Sequence, residues 1–178
     1  PKSDIDFLII LAEKPNTEVE KKISRLVTFL WDSGLDVGHS VRTLDDCESF
    51  AKNDLTIFTN LLESRFITGD QSLNESLKKL ISISRMWSPR DFFLAKCEEQ
   101  KNRYKQTQSS TYNLEPNVKN SPGGLRDVQN IIWIAKRHFG QGNIRELATN
   151  GFLTKIEAEN FLKGINFLWK VRYALHML

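Results

Sequence analysis

The tightest constraint on this fold is the apolar run Ile5-Asp6-Phe7-Leu8-Ile9-Ile10-Leu11, entered through Pro1-Lys2-Ser3-Asp4. Successive side chains on a strand face opposite ways, so Asp4 and Asp6 share one face and Ile5 and Phe7 the other. From Phe7 onward both faces are apolar, the pattern of a strand buried between layers. Two unpaired carboxylates at the entrance of such a strand would be costly to bury. They therefore either sit at an exposed edge or hold a cation. A solvated Asp-x-Asp before a core strand accounts for most such pairs. The alternative is Mg²⁺, which takes carboxylate oxygens and keeps positions open for phosphates.

Beyond this run the chain turns periodic. Thr17 and Glu20 read as a capping box, and Val19, Ile23, Leu26, Val27 and Leu30 continue at helical spacing until Ser33-Gly34. Residues 35–42 alternate well enough for a second strand, with Asp36 inside it. Thr43 is placed to cap a short helix over residues 45–52, and further helices are expected over 54–65 and 72–84. The second half reads as helical throughout. Ser88 and Pro89 start one helix, which runs to about Gln106. A long polar loop then leads to Pro122-Gly123-Gly124. Leu125, Val128, Ile132 and Ala135 mark a helix ending before Gly140, and Thr154 with Glu157 caps the last one. The expected fold class is α+β, strand–helix–strand–helices and then an all-helical module.

The 178 residues suffice for one domain, or for a small domain with a helical extension. A hydrophobic share of 40% with 26% charged residues suits a soluble globular protein. No apolar run approaches a membrane span and no signal-peptide pattern precedes the first strand. The chain starts without Met, so an excised segment of a longer protein is expected. Cys47 and Cys97 are expected to be free, buried thiols in a cytoplasmic protein. The net charge of +3 favours an anionic ligand and is too small to indicate nucleic acid. Neither nucleic acid nor membrane is expected as a partner.

Asp36 sits between Leu35 and Val37, the same apolar–acid–apolar setting as Asp6, although Asp is depleted in strands. With Asp4 and Asp6 it makes a trio able to converge at a sheet edge and hold two Mg²⁺ ions on a triphosphate. The plainer alternative pairs it with Arg42. In Pro122-Gly123-Gly124-Leu125-Arg126-Asp127, the paired glycines let the backbone pass close to a ligand. The helix starting there would direct free N–H groups and its positive dipole end at a phosphate, with Lys119 and Arg126 adding charge. A plain Gly-Gly turn with Asp127 as dipole partner is equally consistent with these residues. Glu63 and Arg65, a turn after Thr59 and Asn60, form a polar strip, read as an ion-paired face or the lining of a cleft. His39 reads as structural, and His138 and His176 have no ligand spacing. There is no Cys/His metal cluster, GxSxG or Walker A sequence.

Four stretches together resemble one family: Ser3-Asp4-Ile5-Asp6, residues 34–43, Thr59-Asn60-Leu61-Leu62-Glu63-Ser64-Arg65, and residues 112–127 with Pro122-Gly123-Gly124-Leu125-Arg126-Asp127. The family is that of the bacterial bifunctional uridylyltransferase/uridylyl-removing enzymes of the PII signal protein (GlnD family). The resemblance covers essentially the whole chain, and the long-loop motif is its most specific part. It implies a truncated polymerase-β-like nucleotidyltransferase core over residues 1–75 and a helical domain over 76–178. The implied reaction is transfer of UMP from UTP to a tyrosine of PII, with release of pyrophosphate.

The resemblance also implies roles. Asp4, Asp6 and Asp36 would be the catalytic and metal-binding carboxylates, with Glu63 the alternative third acid. Asp36 would hold the catalytic metal and help deprotonate the tyrosine. Ser3, Lys119, Gly123, Gly124, Arg126 and Asp127 would bind the nucleotide. The cofactor would be Mg²⁺ or Mn²⁺. The family's phosphate-gripping glycines precede the Asp pair and are absent here, so this chain alone is expected to transfer little UMP. The uridylyl-removing hydrolase and the glutamine-sensing domains are expected outside it. Two alternatives accompany this reading: an adenylyltransferase like the one acting on glutamine synthetase, and an inactive module that only binds nucleotide or PII.

Overall fold

The computed structural model describes residues 5–82, 86–109, 117–140 and 142–177. It divides into two compact units, Pro1–Ile81 and Ser82–Leu178. The fold is α+β and mostly helical.

The first unit opens with a strand–helix–strand motif: β1 (Ile5–Leu11), α1 (Thr17–Asp32) and β2 (Val37–Thr43). β1 and β2 pair in parallel, Ile5 opposite Val37 and Asp6 opposite Gly38, which requires a crossover such as α1. The apolar run was expected to be buried between layers. It forms the expected strand, but Phe7–Leu11 are only half-buried. The reason is that the described sheet has two strands, so each has an unpaired edge. A second correction concerns α1. Its cap is Asn16, whose side chain accepts from the Val19 N–H at 3.0 Å, and no Thr17–Glu20 box forms. Asn caps at least as well as Thr, and Asn16 stands one residue earlier with extended backbone, φ −86° and ψ 170°.

Three helices complete this unit: α2 (Leu44–Asn53), α3 (Leu55–Glu63) and α4 (Gln71–Leu80). Thr43 caps α2 as expected, its hydroxyl and backbone exchanging bonds with Asp46. The core is built where α2 meets α3 and α4, from Cys47, Ala51, Phe58, Leu61, Leu62, Leu77 and Leu80. α4 stops at Leu80, short of the expected Ser84, which lies outside the described residues.

The second unit holds α5 (Pro89–Ser109), α6 (Leu125–Phe139), α7 (Ile144–Thr149) and α8 (Lys155–Met177). Ser88 caps α5, its Oγ accepting from the Asp91 N–H at 3.0 Å, and Thr154 caps α8 with Glu157. α7 is absent from the sequence expectation. At six residues it is too short to show a helical period, although Asn143 caps it. α7 and α8 enclose Ala135, Ile144, Leu147 and Ala158, with Phe139, Phe161 and Leu162 against them. No described helix is long and apolar enough to cross a membrane. Cys47 is buried, and burial pushes its thiol pKa up, whereas Cys97 is only half-buried; both are free.

Candidate functional site

In the first unit the candidate residues lie at the N-terminal end of the sheet. Ser3 and Asp4 lie outside the described residues. Asp6 is exposed, and its carboxylate lies over Gly38 on the neighbouring strand. A Cβ built on Gly38 would stand 2.7 Å from Asp6 Oδ1. Asp36 was expected inside the second strand. It instead immediately precedes β2, exposed, with its carbonyl accepting the Ile5 N–H at 2.9 Å. The turn after Gly34, whose φ is +77°, takes up residues 35 and 36 before pairing starts. Asp36 is nonetheless tied to the end of the sheet that carries Asp6.

No ion pair joins Asp36 to Arg42 among the described residues; the Arg42 guanidinium lies 5.1 Å from the Phe50 ring centroid. The polar strip of α3 is also corrected. Thr59 is buried, its hydroxyl donating to the Leu55 carbonyl at 2.7 Å, while Glu63 and Arg65 are exposed with no ion pair between them. His39 meets Trp31 edge-on at 6.2 Å, and the Trp31 indole donates to the Val37 carbonyl at 3.0 Å. Among the described residues no three His, Cys, Asp or Glu side chains group closely enough to hold a metal. The donor chemistry at Asp6 does suit a hard divalent cation. A hard oxygen donor occupies a space that any side chain on Gly38 would fill.

In the second unit, residues 117–124 form a closed turn. Asn117 Oδ1 accepts from the N–H groups of Lys119 and Asn120 at 3.0 and 2.9 Å. The N–H groups of Leu125 and Arg126 donate to the carbonyls of Val118 and Lys119, each at 2.9 Å, and those of Asp127 and Val128 to Gly124. This corrects the expectation of free donors at this helix start, because the loop's own carbonyls occupy them. Gly124 is required by close approach. A Cβ there would stand 2.6 and 2.8 Å from the Val118 and Ser121 carbonyl oxygens. Gly123 has φ +77°, and its N–H donates to Asp127 Oδ2 at 2.7 Å.

Asp127 also accepts from Gln100 Nε2 at 3.0 Å and from Arg103 and Tyr104 of α5. Burial pushes its carboxyl upward, but bonds from Tyr104, Gln100 and Gly123 and the Arg103 charge outweigh that and hold it below the ordinary range. Burial and the adjoining carboxylate raise the Tyr104 phenol, which stays a neutral donor. Gln100, Arg103 and Tyr104 were missed by sequence reasoning. Their only signal is the i, i+3, i+4 spacing on α5. Asp127 thus fastens the glycine turn to α5. The groups left facing solvent for an anion are the side chain of exposed Lys119 and that of half-buried Arg126, whose guanidinium lies 5.4 Å from the Trp133 centroid. Two clefts of about 420 and 500 Å³ open in this unit, and neither is lined by Lys119, Arg126 or Asp127.

The GlnD PII-uridylyltransferase family model matches residues 91–178. The chain is also similar, end to end, to proteins named bifunctional uridylyltransferase/uridylyl-removing enzyme. Identity is 49% over 178 residues with that of Pseudomonas putida and 51% over 178 residues with that of Pseudomonas fluorescens. With that of Idiomarina loihiensis it is 48% over 181 aligned positions, covering 99% of the chain. The chain spans 20% of the length of each of these relatives. No solved structure matches.

Proposed function

We propose, from the premise that this chain belongs to the family of bifunctional uridylyltransferase/uridylyl-removing enzymes, that it serves the transferase half of such an enzyme. Residues 1–75 form a polymerase-β-like nucleotidyltransferase core, and 76–178 its adjoining helical domain. The reaction is transfer of UMP from UTP to a tyrosine hydroxyl of PII, with release of pyrophosphate, in the cytoplasm. Uridylyl removal and glutamine sensing belong to other parts of the enzyme. The observation that carries this reading is identity near one-half along the entire chain, the carboxylate end of the sheet included.

Asp4, Asp6 and Asp36 would hold Mg²⁺ or Mn²⁺, with Glu63 the alternative third acid. When bound, the metal supplies positive charge to a triphosphate and to the oxyanions of an in-line displacement. The protein's part is placement. Asp6 presents its carboxylate at the sheet end, and the Ile5–Asp36 backbone bond keeps residue 36 beside it. Asp36 would help take the tyrosine proton, and Ser3 would contact the nucleotide. Lys119 and Arg126 would attract the phosphates, while Gly123, Gly124 and Asp127 fix the turn that carries those two cations.

The test is calorimetric titration of the chain with UTP and Mg²⁺, with ATP as competitor, for wild type and Asp6→Asn. UTP is expected to bind more tightly than ATP, and Asp6→Asn to weaken it about tenfold or more, since a neutral amide does not balance the triphosphate charge. Preference for ATP would point instead to an adenylyltransferase. Binding of PII without any nucleotide binding would point to an inactive docking module.

A further inference from the structure

We infer that Gly38 is a positioning residue for the Asp6 carboxylate, which lies in the place a Gly38 side chain would take; this rests on reading Asp6 as a metal ligand. Gly38 sits inside β2, paired in register with Asp6, and its φ is not positive. Its backbone is one that any residue adopts, so conformation does not account for the glycine. Glycine inside a strand weakens it, and it characteristically marks a place where another group approaches closely. Here that group is identified. The described atoms within 4 Å of a built Cβ are Asp6 Oδ1 at 2.7 Å and Asp6 Cγ at 3.9 Å.

The consequence is specific because the two roles of a glycine separate here. The obstructing atom is the end of a rotatable, exposed side chain, not backbone. Alanine at position 38 would therefore swing the carboxylate aside without breaking the sheet. It would also remove glycine's excess freedom from the unfolded chain, which raises stability slightly. A glycine kept for the fold would lose melting temperature on replacement. A glycine kept for the carboxylate loses metal affinity and holds its melting temperature.

The test is Mn²⁺ titration, monitored by the electron paramagnetic resonance signal of free Mn²⁺, on wild type, Gly38→Ala, Gly38→Val and Asp6→Asn, with metal-free melting curves for each. Gly38→Ala is expected to weaken Mn²⁺ binding about tenfold, as loss of a ligand-orienting neighbour does, and Gly38→Val at least as much. The metal-free melting temperature of Gly38→Ala should be equal to or above wild type. If Asp6→Asn loses Mn²⁺ while Gly38→Ala keeps it, the positioning role is overturned and the metal reading stands. If Asp6→Asn binds Mn²⁺ like wild type, the metal reading is overturned and the positioning role with it. A loss of melting temperature matching the loss of affinity in Gly38→Ala would mark a structural glycine and overturn the inference.

Discussion

Arg137 of α6 donates from Nε to the carbonyl oxygen of Trp87 at 2.6 Å, fifty residues earlier in the chain. Its Nη2 donates to the Met86 carbonyl at 2.8 Å, and the side chain is 1% exposed. Burial lowers the guanidinium pKa, yet the group keeps its donors, and these satisfy two carbonyls in the segment leading into α5. Arginine suits this place because its planar fork serves two acceptors together.

Replacing Arg137 by Met preserves much of the volume and removes every donor. Leaving the buried Met86 carbonyl without its donor costs about 1–3 kcal/mol, and loss of the part-buried bond to Trp87 adds less, so urea unfolding monitored by tryptophan fluorescence should show a marked loss of stability. Arg137→Lys should recover part of it, since an ammonium is a single donor point on a flexible stem.

Gly124→Ala should damage the turn before α6. The added Cβ would meet the carbonyl oxygens of Val118 and Ser121 at 2.6 and 2.8 Å, and backbone does not rotate away as a side chain does. Overpacking of this kind costs about 1–3 kcal/mol. Loss of melting temperature without ligand is the readout, and a stable Gly124→Ala would show that the turn has slack.

Arg126→Ala should behave in the opposite way. Its stack on the buried Trp133 ring is worth about 1 kcal/mol at this half-buried position. Melting temperature should therefore change little while calorimetric affinity for UTP falls. Unchanged affinity would leave Arg126 a purely structural partner of Trp133.

The contrast between Gly124 and Arg126 shows where the sequence was legible. Caps were the most legible local feature: Thr43 and Ser88 cap α2 and α5 as expected and the Thr154–Glu157 box forms, although the Thr17–Glu20 box of the same spacing does not. The paired glycines were visible too, but not their purpose, because the carbonyls that crowd Gly124 depend on how the turn closes. Burial of Arg137 was not legible at all. Its acceptors lie 50 and 51 residues away, and no local period reports such a contact. Asn16 displaced Thr17 as a cap because two good candidates stood side by side. Asp36 fell outside β2 because hydrophobic alternation fixes a strand's existence better than its first residue.

Asp127 yields the pH prediction. Its carboxyl is about one-seventh exposed, at 14%, and is faced by Arg103, Tyr104, Gln100 and the Gly123 N–H. Burial alone would raise its pKa, but the four donors lower it below the ordinary aspartate value. A carboxyl with a depressed folded pKa contributes stability that is present above its unfolded pKa, near about 3.9, and is lost as pH falls through the folded value. Asp127→Asn should therefore lower stability at neutral pH by about 2 kcal/mol, the scale of charge-assisted hydrogen bonds. The gap between mutant and wild type should then narrow as pH falls below about 4. Asp46, Asp70 and Glu157 are also held below their usual pKa, each by hydrogen bonds at a helix start, so the wild-type curve alone would mix their contributions. The difference curve isolates Asp127. Urea unfolding from neutral pH down into the acid range measures it, and a constant gap throughout would show that the Asp127 clasp is not linked to its ionisation.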